Sequence, residues 1–249
     1  MTPTERWLTS LEARHFSDLT FQEVSRSLRA LSSTYVERRD RLHEGAALAG
    51  AGKRAAFALF YGPLHYLLVR EIVRSISAPP RQNPRTLIDL GCGIGAAGAA
   101  WAEACDPPPQ VIGVDRHPWT LTEAALTYRE FGLRARTVRG DAATFAFPKT
   151  RAMILAAFTI NELDDRGRTS LLPRLIDRAT AGDRVLIVEP VARSVGRWWI
   201  DWRRAFEAAG GRADEWRFRV ELPEIVAKLD RAAGLDHREL TGRSLYMGN

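Results

Sequence analysis

Cysteine is nearly absent from the 249-residue sequence, which contains only Cys92 and Cys105. Two thiols are too few for a disulfide framework or an all-cysteine metal site. No apolar run approaches the roughly 20 residues that a bilayer-spanning helix needs. The first residues, Met-Thr-Pro-Thr-Glu-Arg-Trp, also lack the basic start and apolar core of a secretory signal. These absences predict a cytoplasmic protein with no membrane partner and no bound metal.

Lysine is also scarce, since Lys53, Lys149 and Lys228 are the only lysines among 36 basic residues. Arginine therefore carries nearly all of the positive charge behind a formal net charge of +6. The planar guanidinium suits contacts with phosphates and stacked bases, so an RNA partner is one interpretation. A GC-rich genome that encodes arginine in place of lysine is the other, and composition leaves both open.

The N-terminal part of the chain shows helical patterns and no convincing strand. Phe21, Val24 and Leu28 recur at helical spacing, and Thr20 with Glu23 matches a capping box at the start of that helix. The segments that follow are a loop over 40–52, a long helix over 53–77 that breaks at Gly62-Pro63, and a proline-rich linker over 79–84. This order predicts an N-terminal helical region at residues 1–80 and a second domain at residues 81–249.

From Thr86 onward, strand and helix patterns alternate, which predicts an α/β fold with a parallel sheet covered by helices on both faces. The first five predicted strands are 86–90, 111–115, 134–139, 151–157 and 184–188. A Trp-rich helical stretch and a helix near 223–233 come next. Strands around 237–240 and 244–247 are predicted to close the chain.

A glycine-rich turn follows the first of these strands, in the stretch Asp89-Leu-Gly91-Cys92-Gly93-Ile-Gly95. Glycine permits unusual backbone torsions and, having no Cβ, lets a ligand approach the main chain. A strand, a glycine turn and a helix in this order present helix N-terminal N–H groups to a ligand. Alone the pattern is a weak signal, because glycine turns are common in α/β loops.

Residues at the ends of the next three strands make the turn more informative. Asp115 lies 20 positions after Gly95, where a carboxylate can accept both hydroxyls of a ribose. Asp141 is placed to accept from an adenine amino group, and Phe158 to cover an adenine face. The third glycine comes one residue earlier than in a dinucleotide-binding turn, and the loop has no Lys or Ser/Thr for a triphosphate. The pattern therefore predicts an adenosine ligand without phosphates.

These motifs resemble those of the class I S-adenosylmethionine-dependent methyltransferases. Asp89–Gly95 is similar to their first motif, Gly113–Asp115 to the ribose-binding second and Gly140–Ala142 to the adenine-binding third, while Phe158–Leu163 falls at the substrate-facing fourth. The resemblance implies a seven-stranded Rossmann-like sheet, mostly parallel, with a C-terminal antiparallel hairpin. It also implies that S-adenosyl-L-methionine, or S-adenosylhomocysteine, binds to Asp89, Gly91, Cys92, Gly93, Gly95, Asp115, Arg116, Asp141, Ala142 and Phe158.

A narrower resemblance suggests an acceptor. The stretches 31–39 and 51–61, Asn161-Glu162-Leu163, and Glu189-Pro190 followed by Gly196-Arg197 are similar to the methyltransferase-like proteins of mitochondrial small-ribosomal-subunit assembly and their bacterial relatives. This resemblance implies ribosomal RNA or the small ribosomal subunit as partner. The family's cysteine cluster is missing here, so its metal site is not carried over.

The catalytic candidates are Asn161 and Glu162, placed to orient or deprotonate an acceptor. Their alternative role is structural, with Asn161 capping a turn and Glu162 at the positive end of the next helix. The Asn/Asp-Pro-Pro-aromatic tetrad of adenine amino methylation is absent, and neither cysteine lies near the fourth strand. His65 and His117 are further possible bases, although His117 precedes Pro118 at a helix start, where capping is favoured.

The run from Arg193 to Arg204 interleaves arginine and tryptophan, so it either stacks unpaired bases or packs one helix face against the fold. We expect an S-adenosylmethionine-dependent methyltransferase with RNA as acceptor, its acceptor site covered by residues 1–80. A small-molecule or protein methyltransferase is the alternative enzyme. A non-catalytic ribosome-assembly factor that keeps the cofactor pocket is the alternative from another class.

Overall fold

A computed structural model describes residues 1–37, 48–76, 84–191 and 197–248, with the side chains of 33–37 excluded. Most of the predicted loop over 40–52, most of the proline-rich linker and residues 193–196 of the Trp-rich run lie outside these ranges. In the described chain, no helix is both long and apolar enough to cross a membrane. The described side chains also form no cluster of three or more His, Cys, Asp or Glu groups able to hold a metal ion.

The central sheet has seven strands within the described ranges, in the order β3-β2-β1-β4-β5-β7-β6. They are β1 (Thr86–Leu90), β2 (Gln110–Asp115), β3 (Ala135–Arg139), β4 (Met153–Ala157), β5 (Arg184–Glu189), β6 (Arg212–Phe218) and β7 (Leu240–Met247). Strands β1 to β5 are parallel, and β7 runs antiparallel to both β5 and β6. The predicted α/β fold and mostly parallel sheet are confirmed.

The helices cover both faces of the sheet. They are α1 (Pro3–His15), α2 (Phe21–Glu37), α3 (Ala51–Ala56), α4 (Gly62–Ile76), α5 (Ala96–Glu103), α6 (Pro118–Glu130), α7 (Asp165–Thr180), α8 (Arg197–Ala208) and α9 (Glu224–Ala233). Alternate residues of β1 point to opposite faces, so Leu87 belongs to one buried cluster and Ile88 to the other. This alternation requires helices on both sides.

The last two strands are antiparallel neighbours, as predicted, but the positions predicted for them in the sequence are wrong. The stretch 237–247 contains one strand, β7, and its partner β6 precedes α9. Gly242, between the two predicted strands, lies inside β7, where an added Cβ would be 2.9 Å from Cδ2 of Leu68 on α4. Glycine in a strand often marks such a close approach. Strand β6 escaped prediction because its sequence, Arg-Ala-Asp-Glu-Trp-Arg-Phe, is largely charged and lies at the sheet edge.

The N-terminal helices agree with the sequence in part. Thr20 and Glu23 form the predicted capping box, with the Glu23 N–H 3.4 Å from Thr20 Oγ1 and the Thr20 N–H 2.8 Å from Glu23 Oε2. The predicted break at Gly62-Pro63 is instead a π-helical segment, Phe57–Tyr61, which connects α3 and α4. The segment ends in an i to i−5 hydrogen bond from the Gly62 N–H to Phe57 O. It directly precedes Pro63, which has no N–H to donate to the preceding turn.

Helix α1 was not predicted, and it joins the N-terminal helices to the sheet domain. The Trp7 indole N–H donates to Thr127 Oγ1 on α6 at 3.0 Å, and Trp7 is fully buried. Trp7 and Leu11 belong to the same buried cluster as Leu87 of β1. The N-terminal helices therefore share a hydrophobic core with one face of the sheet.

The Trp-rich helix α8 packs against the other face. Trp199, Trp202 and Phe206 are buried in the cluster that contains Leu245 of β7. The Arg243 guanidinium lies 4.0 Å from the Trp199 ring centroid. These contacts agree with the packing interpretation of the run rather than with base stacking.

Candidate functional site

A cavity of about 710 Å³ opens beyond the carboxyl ends of β1, β2 and β4. Ligands of open parallel sheets bind at this position, and the volume lies in the usual range for small-molecule sites. One half is formed by the glycine turn and the loops after β2 and β3. The other half is formed by the π-helical segment, α4, the loops after β4 and β5, and the chain at the start of β7. Its walls are Phe57, Tyr61, Leu64, His65, Leu68, Phe158, Leu163, Pro190, His237 and Leu240.

The three glycines of the turn have left-handed φ angles of +64° at Gly91, +52° at Gly93 and +80° at Gly95. At Gly91 an added Cβ would clash with the Thr159 side chain, and at Gly95 it would lie 3.0 Å from the Tyr128 ring. Gly93 is open to the cavity, because an added Cβ would meet only the Phe57 ring at 3.7 Å. Gly91 and Gly95 therefore allow packing, while Gly93 exposes backbone to a ligand.

Asp89 lies behind the turn and does not line the cavity. Its carboxylate accepts from the Tyr128 hydroxyl at 3.0 Å and from the Gly98 N–H. An added Cβ at Gly98 would fall 2.3 Å from Asp89 Oδ2, so glycine is needed for this approach. Burial raises the pKa of Asp89 to about 7. Asp89 therefore ties the end of β1 to Gly98 of α5 and Tyr128 of α6.

Asp115 lines the cavity at the end of β2. Its Oδ2 accepts from the Gly93 N–H at 2.9 Å, and its Oδ1 accepts from the His117 N–H at 2.8 Å. An ionised carboxylate has about four acceptor sites, so both oxygens keep capacity for ribose hydroxyls. The Trp119 N–H donates to His117 Nδ1 at 3.2 Å. His117 is thus the cap of α6, as favoured from the sequence.

Asp141, Arg116 and Ala142 meet at the end of the cavity beyond β3. Arg116 donates to Asp141 Oδ2 at 2.6 Å, and the Ala143 N–H donates to Asp141 Oδ1 at 2.9 Å. Two bonds fix the orientation of the carboxylate. Arg116 therefore positions Asp141 at the predicted adenine end of the site.

Phe158 has a φ of +58°, a left-handed conformation that is uncommon for a bulky residue. Its N–H donates to Val188 O at 2.7 Å, and its ring stacks on His65 with centroids 3.7 Å apart. One face of Phe158 is therefore covered by protein. Burial lowers the pKa of His65 to about 3, so this imidazole is neutral at physiological pH. The left-handed φ of Phe158 is a strained backbone conformation, and strain of this kind is characteristic of functional sites.

Asn161 and Glu162 lie on a short 3₁₀ turn, Ile160–Glu162, and both line the cavity. The fully buried Glu189 at the end of β5 accepts from the Asn161 N–H at 3.1 Å and from the Ile160 N–H. Burial raises the pKa of Glu189 to about 8. Enclosure by the protein, and secondly the charge of Asp115, raise the pKa of Glu162 to about 7, although its side chain is open to the cavity.

Cys92 lines the cavity, but its thiol is buried, and burial raises its pKa well above the ordinary value. A thiol in this state is a poor nucleophile. An added Cβ at Gly113 would lie 3.1 Å from Cys92 Sγ and 3.0 Å from the Tyr128 hydroxyl. Cys92 therefore fills space between the turn and β2.

Several site residues were missed from the sequence: Thr159, Tyr128, the aromatic residues of the π-helical segment, and His237. Gly113 inside β2 is the one local signal for Tyr128, because glycine in a strand marks a close approach. Thr159 and His237 join the site through contacts with residues far away in sequence, and no local pattern indicates them.

The comparisons agree with this geometry. Residues 87–181 match the model of a methyltransferase domain family. The trans-aconitate 2-methyltransferase of Methylobacterium radiotolerans is 30% identical over 173 residues, which is 65% of this chain and 57% of that protein. The chain thus matches little more than half the length of this curated relative.

Two solved structures resemble the fold with a TM-score of 0.50. Magnesium protoporphyrin IX methyltransferase from Synechocystis PCC 6803, solved with bound S-adenosylmethionine, is 15% identical, with 94% of this chain and 99% of that chain covered. A plantazolicin methyltransferase in complex with a substrate analogue and S-adenosylhomocysteine is 11% identical, with coverages of 91% and 97%. Residues 87–181 thus resemble a methyltransferase domain, and the two solved structures share the fold over most of the chain.

Proposed function

We propose that the protein is an S-adenosylmethionine-dependent methyltransferase that acts on a small-molecule acceptor. The observation that supports this most is one continuous cavity with two unlike halves. The half at Gly93, Asp115 and Asp141 offers open backbone and carboxylate acceptors, whereas the other half is mostly aromatic and aliphatic. A polar nucleoside and an apolar acceptor fit side by side in such a cavity.

The residues present fit the cofactor. Left-handed Gly93 leaves room for a ligand where a side chain would project, and Asp115 keeps acceptor capacity for ribose hydroxyls. Asp141 is held for an adenine amino group by Arg116. When bound, S-adenosylmethionine supplies a methyl group on a positively charged sulfur. The cavity walls align the acceptor with that methyl and exclude water, and such alignment accounts for much of the rate in a direct displacement.

Asn161 and Glu162 are proposed to orient the acceptor from the end of β4. Glu189 holds their turn from beneath, since it accepts the Asn161 N–H. With a pKa of about 7, Glu162 is partly protonated near neutral pH, so it can either accept or donate a hydrogen bond.

The small acceptor is also favoured by the relatives' names. Trans-aconitate and magnesium protoporphyrin IX are small molecules, and plantazolicin names the third relative's substrate. The RNA acceptor predicted from the narrower resemblance has no support in these comparisons. The net charge of +6 is the observation that keeps RNA as the second candidate.

The cofactor site is tested by calorimetry with S-adenosylhomocysteine on Asp115→Ala and Gly93→Ala. Both variants are expected to lose at least tenfold in affinity. The matched controls are Asp201→Ala on the exposed side of α8 and Gly210→Ala, a left-handed glycine (φ +87°) in a surface turn with no atom near an added Cβ. Unchanged affinity in both cavity variants removes the proposed pocket.

The acceptor is tested by radiolabelled methyl transfer into small-molecule, RNA and protein fractions of a strain that lacks the gene. Label in the small-molecule fraction supports the proposal, and label in RNA supports the second candidate. Absence of label in every fraction, together with RNA binding that weakens steeply with salt, supports the non-catalytic assembly factor instead.

A further inference from the structure

A histidine–aspartate pair borders the mostly aromatic and aliphatic half of the cavity, which we call the acceptor half. This pair lies away from the proposed cofactor residues. His237 lines the cavity, and its Nδ1 lies 2.5 Å from Oδ1 of Asp230 on α9. The other oxygen of the same carboxylate accepts from the His237 backbone N–H at 3.0 Å. One buried carboxylate thus fixes both the backbone and the ring of His237.

The local fold explains how this pair forms. Helix α9 buries the face that carries Ile225, Val226, Leu229 and Asp230. The helix ends at Gly234, whose φ of +74° reverses the chain. The Leu235 N–H then donates a hydrogen bond to Asp230 O at 2.9 Å. The reversal brings His237 back beside Asp230, seven positions earlier in sequence.

The topology places His237 at the catalytic edge of the sheet. Strand β7 is antiparallel to β5, so the start of β7 lies at the same edge as the carboxyl ends of β4 and β5. Arg243 pairs with Glu189, the last residue of β5, and His237 precedes Arg243, so it lies beyond that edge. Its ring packs edge-on against Phe60 at 5.5 Å, and 34% of its side chain stays exposed.

The pairing decides which ring nitrogen is available for chemistry. A carboxylate only accepts hydrogen bonds, so Nδ1 carries the proton that faces Asp230. In the neutral ring Nε2 then holds the lone pair, and among the described residues no hydrogen bond engages it. This arrangement orients a general base in many enzymes.

We propose that His237, positioned by Asp230, is the general base of the reaction and that the acceptor is a small phenol-like compound. The proposal rests on the methyltransferase function proposed above. A carboxylate acceptor is already ionised at neutral pH and needs no base, whereas a hydroxyl must lose its proton. The aromatic and aliphatic walls suit an aromatic ring as the body of that acceptor.

The proton of the acceptor hydroxyl passes to Nε2 of His237 as the oxygen forms its bond to the methyl carbon. The methyl–sulfur bond breaks, and its electron pair stays on the sulfur. The products are the methyl ether, S-adenosylhomocysteine and an imidazolium, which Asp230 stabilises until the proton leaves to solvent.

The acidic residues next to His237 in sequence are paired with arginines. Asp236 pairs with Arg238 at 2.7 Å, and Glu239 pairs with Arg219 at 3.2 Å. On the π-helical segment, burial raises the pKa of Tyr61 to about 12, so its hydroxyl stays protonated. Glu162, which also lines the cavity, is the rival base.

The test uses 4-nitrophenol, whose phenolate absorbs visible light and which ionises near neutral pH. Bound to protein saturated with S-adenosylhomocysteine, it is expected to ionise about one pH unit lower than in solution, a tenfold change in ionisation constant. His237→Gln removes the base and is expected to abolish this shift. Asp230→Asn keeps the ring but places an amide donor against Nδ1, and it is also expected to abolish the shift.

The matched control is a second histidine–carboxylate pair among the described residues, His15 with Glu123 at 3.6 Å, which lies on α1 and α6 outside the cavity. His15→Gln is expected to leave the ionisation of bound 4-nitrophenol unchanged. Binding of S-adenosylhomocysteine to each variant confirms that the variant is folded. If the unmodified protein does not bind S-adenosylhomocysteine, the methyltransferase function itself is contradicted.

Three results overturn the inference while leaving the methyltransferase function intact. The first is an equal ionisation shift in the unmodified protein and His237→Gln. The second is loss of the shift in Glu162→Gln but not in His237→Gln, which makes Glu162 the base. The third is S-adenosylhomocysteine-loaded protein that shows no saturable binding of 4-nitrophenol, which excludes the phenol-like acceptor.

Discussion

Three carboxyl groups around the site are held close to their neutral form by burial. The pKa is raised to about 7 for Asp89 and Glu162 and to about 8 for Glu189. Removing a carboxylate from water disfavours its charge unless enough donors compensate. Glu189 accepts two backbone N–H groups, while its Oε2 has no hydrogen-bond partner among the described residues, so the cost of burying its charge is only partly offset. These groups make stability depend on pH.

Glu189→Gln is expected to flatten the dependence of stability on pH. The folded-state pKa of Glu189 is raised, so the folded protein binds more protons than the unfolded chain between about pH 4.5 and 8. The free energy of unfolding therefore falls as pH rises through this window, by about 1 kcal/mol per pH unit for this group. Urea unfolding at pH 5, 6.5 and 8 measures this slope of the free energy of unfolding, with Glu215→Gln at an exposed position of β6 as control. Equal slopes in the protein and the variant contradict the assignment.

At the scale of secondary-structure elements, α4 and the glycine turn pack closely against each other at Gly62. An added Cβ at Gly62 would lie 2.4 Å from Cδ1 of Ile94, which belongs to the turn and is 2% exposed. The π-helical segment directly before Gly62 brings Phe57 over Gly93. The N-terminal helices thus shape the cofactor loop as well as the acceptor half.

Gly62→Ala is expected to be destabilising, although alanine favours a helix over glycine by about 1 kcal/mol. The added methyl must displace Ile94, and overpacking costs about 1–3 kcal/mol. Ile94→Val removes Cδ1, so the double variant is expected to be more stable than the two single effects predict, by about 1 kcal/mol. A double-mutant cycle by urea unfolding measures this coupling. Additive effects of the two substitutions contradict the contact.

At the scale of the whole molecule, the N-terminal helices and the sheet domain are joined by shared burial. Trp7, Leu11 and Leu28 lie in the same cluster as Leu87 and Val111 of the sheet. Arg14 of α1 also pairs with Glu123 of α6 at 2.9 Å. Because removal of the helices exposes this face of the sheet, we expect both parts to unfold together.

Trp7→Ala is expected to lower the free energy of unfolding by about 3–5 kcal/mol, since it leaves a large cavity between α1, α4 and α6. Trp7→Phe is expected to cost less, because it keeps a ring but loses the bond to Thr127. Leu8→Ala, half-buried on the same helix, is the control. Circular dichroism and fluorescence are expected to report one coincident transition. Two separated transitions contradict the shared core and support independent domains at residues 1–80 and 81–249.

How far the sequence predicts this molecule depends on how local each feature is. The order of β1 to β5, the glycine turn, and the carboxylates at Asp115 and Asp141 all follow from short patterns, since strand ends in a parallel sheet meet at one edge. The bounds of these strands agree within two residues. Helix α1 and strand β6 were missed, because long-range packing and pairing determine them.

The sequence by itself determined the α/β class and the kind of ligand that the turn can hold, because backbone torsions at glycine and the period of apolar residues act locally. The tertiary structure decided what each glycine does: Gly93 faces the cavity, while Gly91 and Gly95 face protein. The tertiary structure also places Asp89 behind the turn and His237 beside the acceptor half. Those assignments depend on contacts between residues far apart in the chain, and only packing of the whole fold determines them.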